Sequence, residues 1–301
     1  MFDGRAGRLN ASSPILLYAS GKLVVVRTLR GDSFCYRGHT APVTAAAFSP
    51  SGAYVASADA RGKLRVWSYD NEEHLVKLEL QAMSGPIRGI AWDVDSARIA
   101  IVGERSDASS DCCRIIQWDT GVTCGELGQH ARGRASSVAF KLGRPMRIVT
   151  GGMDDSKLLM NAGPPFQRLA SSDAHVKGAV HAVAYGGAVV ASVGADKSVC
   201  IHDGKTLELI VRKEHVHEAS IYACAWSSND KYLLTCSADG TVKLLEVGDA
   251  SLDVVHTWNV SSRLGSSDKV AIGGMQLGCA FVKQDDMPAT VGMNGEIIIL
   301  P

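Results

Sequence analysis

The 301-residue sequence carries no excess charge: Lys and Arg total 31, Asp and Glu total 31, and the formal net charge is zero. Proteins that hold nucleic acid or an anionic membrane surface by charge need a basic surplus to neutralise phosphates, so this balance argues against both. No apolar run approaches the roughly 18 residues that span a bilayer. The opening MFDGRAGRLNASSPILLYASGK has an acid at its third residue and no long apolar stretch, unlike a secretory signal. No C-x-x-C occurs among the eight cysteines, which stand singly except for Cys112-Cys113. That is the pattern of reduced core thiols rather than of a disulfide framework. G-x-S-x-G, phosphate-loop and H-E-x-x-H patterns are also missing, which removes the commonest hydrolase, nucleotide and zinc signatures. With 46% hydrophobic and 21% charged residues, the chain can bury a large core unaided. These features predict a soluble, intracellular protein with no cofactor, no bound metal and no small-molecule substrate.

What the sequence does contain is a repeat. Its unit is an apolar strand, a turn, a second small-apolar strand, an Asp-Gly type turn and a third apolar strand. Clear copies run over 38–67 and 214–247, and weaker ones over 84–119, 128–160, 173–203 and 276–301; a partial copy at 15–29 opens the chain. Seven units in this length average about 43 residues, within the ~40–45 of a four-stranded propeller blade. Small residues such as Ala45, Ala46 and Ala47 suit an innermost strand on a crowded channel wall. Outer fourth strands are expected at 74–80, 207–211 and 253–258. Helical periodicity is nowhere sustained. The fold expected is all-β: one seven-bladed WD-repeat β-propeller over residues 1–301, with four-stranded antiparallel blades. The first and last blades look incomplete. Residues 5–10 make a poor inner strand, and the last unit stops at 296–300 with no outer strand. Closure is therefore expected to draw on the N-terminal residues, a second propeller or a partner.

Gly38-His39, Ser57, Asp59 and Trp67 occupy the places of the WD-repeat signature, in which the His, Ser, Asp and Trp form a buried hydrogen-bond relay. Such a network stabilises only when each member is satisfied. Parts of it are expected in other copies at Trp118-Asp119, Asp154, Asp196, Ser237 and Asp239, with His215 at the Gly-His position of its unit. These residues are read as structural.

Several stretches resemble one branch of the WD-repeat class, the actin-interacting protein 1 family: SPSGAYVASADARGKLRVW, SGPIRGIAWDVDSARIAIVGE, GGMDDSKLLMNAGPPF, HDGKT and MQLGCAFVK. The resemblance covers 14–301 and corresponds to the first of that family's two propellers. It implies a non-enzymatic protein of the cytoplasm and actin cytoskeleton, whose partners are actin filaments and cofilin and whose action is cofilin-dependent filament disassembly. The family's charged loop after Val-Gly-Glu, its acidic turn and its following aromatic map here onto Glu104 with Arg105, onto Asp154 and Asp155, and onto Phe166. Asp107 and Asp111 continue the charged loop, which here is longer and without an aromatic. Arg168 stands where the family often has a second aromatic. The alternative is a general WD-repeat scaffold for a complex without actin, since propellers host many functions.

Sharper chemical readings find less support. His215, His217 and Glu218 lack a third ligand at metal-site spacing. Neighbours in a strand point to opposite faces, so neither Asp154-Asp155 nor Asp285-Asp286 could flank one bond as an acid and base pair. The glycines at 151 and 152 precede a strand, not a helix, and so make no phosphate cradle. Vicinal Cys112-Cys113 is poorly placed for a disulfide. Phe166, after two prolines, is either an exposed binding aromatic or a core residue at a strand end.

Overall fold

A computed structural model describes residues 3–6, 14–28, 32–69, 73–105, 112–260, 274–282 and 286–301. Its strands form seven antiparallel sheets, six of four strands and one of three. Blade 2 is the pattern for the rest: Val43–Phe48, Tyr54–Asp59, Lys63–Ser68 and Val76–Gln81 pair in sequence order from the centre outwards. Blade 3 uses Ile87–Trp92, Arg98–Gly103, Cys113–Gln117 and Val122–Leu127, and blade 4 uses Ala135–Phe140, Arg147–Gly152, Leu158–Ala162 and Arg168–Ser172. Blades 5 and 6 begin at Ala182–Gly186 and Ile221–Trp226, and end at Leu209–Lys213 and Leu252–Asn259. The expected outer strands therefore exist within one to two residues of their predicted bounds.

The two ends of the ring differ: blade 7 lacks an outer strand, as expected, whereas blade 1 departs from expectation. Blade 7, Gln276–Val282, Met287–Gly292 and Ile297–Ile299, has three strands rather than four. Blade 1 is complete: Asp3–Ala6 is its inner strand, pairing with Pro14–Ser20, and Leu23–Thr28 and Ser33–Tyr36 follow. The strand uses residues 3–6 rather than the expected 5–10. It lies beside the inner strands of blades 7 and 2, so the N-terminal residues close the ring at its centre. They do not supply a fourth strand to blade 7, whose outer edge has no strand partner among the described residues.

Sheets are held to one another by buried side chains from facing blades. Leu64, Val66, Ile90, Ile99 and Ile101 fill the seam between blades 2 and 3, and Val102, Ile115, Val138, Phe140 and Ile148 fill the next. Removing such apolar area from water contributes about 25 cal/mol per Å². Indole donors lock neighbouring inner strands at equivalent places: Trp92 Nε1 donates to the Ala47 carbonyl at 3.2 Å, and Trp226 Nε1 to that of Ala184 at 3.1 Å. The inner strands enclose a channel of about 740 Å³ walled by residues such as Ala91, Ala139, Ala182 and Ala223. Five of them carry a bulge near their start, at Thr44, Arg88, Ser136, Tyr222 and Leu277. A bulge re-aims the extra side chain.

Antiparallel order divides the loops between two faces. Second-to-third strand turns and blade-to-blade connections emerge on one face, which we call the upper. First-to-second and third-to-fourth turns emerge on the lower face.

Candidate protein-binding rim

The upper face is built on a buried relay present in four blades. In blade 2, His39 bonds Ser57 Oγ through Nε2 at 2.8 Å and Asp59 through Nδ1 at 3.0 Å. Trp67 Nε1 donates to the same Ser57 hydroxyl at 3.1 Å. Asp59 also accepts from the amides of Arg61 and Lys63, which fixes the turn. The four expected members of this relay thus meet. Burial outweighs the Asp59 bond at His39 and pushes its pKa down.

The equivalent relays are His130, Thr150 and Asp155 in blade 4; His175, Ser192 and Asp196 in blade 5; and His217, Thr235 and Asp239 in blade 6. At His175 burial works against the charge, but Asp196 and Cys200 together outweigh it and raise the pKa to about 9. Asp155 is likewise opposed by burial, but bonds from His130 and the Ala131 amide bring its carboxyl down to about 2. Asp196 and Asp239 shift downward on the same balance of burial against histidine hydrogen bonds.

Several sequence expectations change here. The blade 4 acid is Asp155, not Asp154. Gly152 makes room for it, since a Cβ there would sit 1.8 Å from Asp155 Oδ1. The blade 6 histidine is His217, not His215, and its hydroxyl partner is Thr235, not Ser237. Ser237 instead donates to the Ala219 carbonyl and receives the Asp239 amide. Trp118 lies outside any relay: its Nε1 donates to the Ser96 carbonyl at 2.7 Å, and its ring packs on Tyr54 and Trp92. His130, Thr150, His175, Ser192, His217 and Thr235 are relay members that the signature positions do not reveal. Each relay histidine has Ser or Thr 17–20 residues on and Asp 20–25 residues on, a spacing that His181 and His215 also meet, so it narrows the candidates without singling them out.

The residues expected to meet a partner divide between the two faces. Glu104 follows the second strand of blade 3 and lies on the upper face. Its amide donates to the Pro86 carbonyl at 3.0 Å, and its backbone forms an isolated bridge with Arg134 at the entry to blade 4. Its carboxylate takes both Nε and Nη2 of Arg88 on Oε1, at 2.9 and 2.5 Å, and faces Arg134 Nε at 3.5 Å through Oε2. Arg134 Nη1 reaches Asp154 at 3.4 Å. Glu104, Asp154, Arg88 and Arg134 therefore form one partly exposed charged cluster across blades 3 and 4. Arg105 lies beside it, 3.4 Å from Glu126, which Arg114 also holds at 2.5 Å. Asp107 and Asp111 lie outside the described residues.

Asp155 is consumed by its relay, and Phe166 is not on this rim. Phe166 follows the third strand of blade 4, so it belongs to the lower face. It is only 7% exposed and packs with Cys113, Leu127, Phe140 and Met146 between blades 3 and 4. Gly125 opposite it has no side chain, and a Cβ there would sit 2.5 Å from the Phe166 ring. The core alternative for this aromatic is the one realised. Of the Asp285-Asp286 pair, Asp285 is outside the described residues, and Asp286 accepts from the Ser228 amide across the blade 6–7 seam.

Comparison with known proteins agrees with this architecture. The family model described as WD domain, G-beta repeat matches residues 31–68 and 209–245. WD repeat-containing protein 1 of Xenopus tropicalis is 36% identical over 287 residues, covering 93% of this chain and 44% of that protein. Actin-interacting protein 1 of Drosophila melanogaster is 35% identical over 292 residues, covering 94% and 45%. The chain thus spans less than half the length of these curated relatives. Among solved structures, a chain of the mitotic checkpoint complex superposes with a TM-score of 0.78 at 13% identity, covering 98% of this chain and 85% of its own. The WD40 repeats of RRP9 also reach 0.78, at 14% identity, covering 95% and 85%. At such identities these two report the fold alone. The chain is a seven-bladed WD-repeat propeller that resembles, over nearly all of its own length, the proteins named actin-interacting protein 1 and WD repeat-containing protein 1.

Proposed function

We propose that this protein is a non-enzymatic actin-binding protein that acts with cofilin to promote filament disassembly, in the cytoplasm at the actin cytoskeleton. The observation that carries the reading is the 35% identity to actin-interacting protein 1 over 94% of the chain. The charged cluster on the blade 3–4 rim supports it, because Glu104 and Asp154 lie together on one face of a rigid frame. Stiff sheets hold loops at fixed separation, so one face can touch a filament subunit and its bound cofilin together. Glu104, Arg105 and Asp154 are the proposed contacts. Preferring the cofilin-bound filament over the bare one would shift filaments toward severing.

The test is a filament disassembly assay at saturating cofilin. Added protein should raise the rate of filament loss, and E104Q and D154N should blunt that gain without unfolding the chain. An unchanged rate with added wild-type protein would refute the reading. Capture from cell extract distinguishes the scaffold alternative, which predicts partners other than actin and cofilin.

A further inference from the structure

Glu104 is held more tightly than an exposed rim carboxylate needs to be. Its backbone is fixed on both sides, by the Pro86 carbonyl and by the bridge to Arg134. Gly85 and Gly103 allow this close approach: a Cβ on Gly85 would sit 2.4 Å from the Glu104 carbonyl, and one on Gly103 would sit 2.1 Å from that of Pro86. The side chain is then hydrogen-bonded from blade 3 and faced by a charge from blade 4. Arg88 comes from the channel wall, where it is the extra residue of the blade 3 bulge, opposite the step between Val102 and Gly103. That bulge turns its guanidinium toward Glu104 rather than along the strand. It spends two donors, Nε and Nη2, on the single oxygen Oε1. Arg134 faces the other oxygen and spans to Asp154.

We infer that Arg88 and Arg134 are positioning residues: together they fix Glu104 Oε2 and the Asp154 carboxylate in one orientation on the upper face, ready for a basic side chain of the partner. The inference rests on the rim reading proposed above and adds to it the residues that hold the contact and the chemistry the contact takes. Freezing a long side chain before binding removes an ordering cost that the complex would otherwise carry. Neither arginine needs to touch the partner. Asp155, one residue further on, is turned inward and takes no part.

Two readouts test this. In the free protein, the Arg88 Nε–H resonance should be protected from solvent exchange and lose that protection in E104Q. In co-sedimentation with cofilin-decorated filaments, E104Q should weaken binding about tenfold and R88Q about three- to tenfold. The E104Q/R88Q pair should bind no worse than E104Q alone, because Arg88 acts through Glu104. R88K, which keeps the charge but loses the two-donor fork, should recover only part of the loss. If E104Q weakens binding and R88Q does not, the positioning role is refuted while the rim reading stands. A further loss from R88Q in the E104Q background would overturn positioning as well, by showing that Arg88 meets the partner itself. If E104Q changes nothing, the rim reading falls and the positioning role with it, whether or not the Arg88 resonance is protected.

Discussion

Asp154 and Asp155 are adjacent aspartates embedded in the same turn, yet substituting them should give opposite phenotypes. Asp155 accepts from the Ala131 amide at 2.8 Å and the Lys157 amide at 3.2 Å, and pairs with a fully buried His130 side chain. Despite burial, these partners take its carboxyl from 3.8 to about 2. At about 1.4 kcal/mol per pKa unit, the ionised form contributes on the order of 2 kcal/mol to folding. Because the folded value is depressed, that contribution is complete above the unfolded value near 4 and is lost as pH falls through about 2. D155N should therefore cost about 2 kcal/mol at pH 7, or roughly 3 °C in Tm for a chain of this length. Asp154 makes only long contacts to Arg134, with both oxygens 3.4 Å from Nη1 of a side chain that is itself 34% exposed. Exposed pairs contribute about 0–1 kcal/mol, so D154N should leave stability almost unchanged while weakening filament binding. Urea unfolding followed by tryptophan fluorescence measures the first effect, and repeating it at pH 3 should shrink the D155N deficit by about half. A D155N protein as stable as wild type, or D154N as the more damaging of the two, would refute the assignment of Asp155 to the relay.

Phe166→Ala should destabilise the protein by about 3–5 kcal/mol in the same urea assay, as expected for emptying a core aromatic site. Filament affinity of the fraction that remains folded should not change, since the ring lies on the other face. In blade 6, Thr235→Val should cost about 1–3 kcal/mol by stranding His217, and Ser237→Ala less, with thermal unfolding as the readout. The raised pKa of His175, about 9, predicts stability that is fully present below about 6.5 and lost as pH rises through 9. His175→Gln should flatten that alkaline limb of the unfolding midpoint against pH.

The propeller was legible because each blade repeats small-apolar strands and Asp- or Gly-containing turns, and these depend on local chemistry alone. The blade 2 relay was legible for the same reason, since all four side chains stand at signature positions. Elsewhere the relay needed long-range information. His215 and His217 lie two residues apart on one connection, both at relay spacing from Thr235 and Asp239, and only the fold brings His217 rather than His215 onto those partners. Asp154 and Asp155 are distinguished by the space over Gly152, which sequence does not display. The inner strand Asp3–Ala6 has no apolar alternation of its own; pairing with Pro14–Ser20 defines it. The sequence leaves Phe166 open between surface and core because its burial depends on Gly125 in the neighbouring blade, 41 positions earlier in the chain. Arg88 carried no signal, because a single arginine on an apolar strand gains meaning only when a bulge turns it toward Glu104.

The most direct measurement is co-sedimentation of the protein with actin filaments, with and without cofilin. Cofilin-dependent action predicts that the chain pellets with cofilin-decorated filaments and remains in the supernatant with bare ones, and that D154N reduces the pelleted fraction. The same weak pelleting with and without cofilin, or none in either, would contradict it.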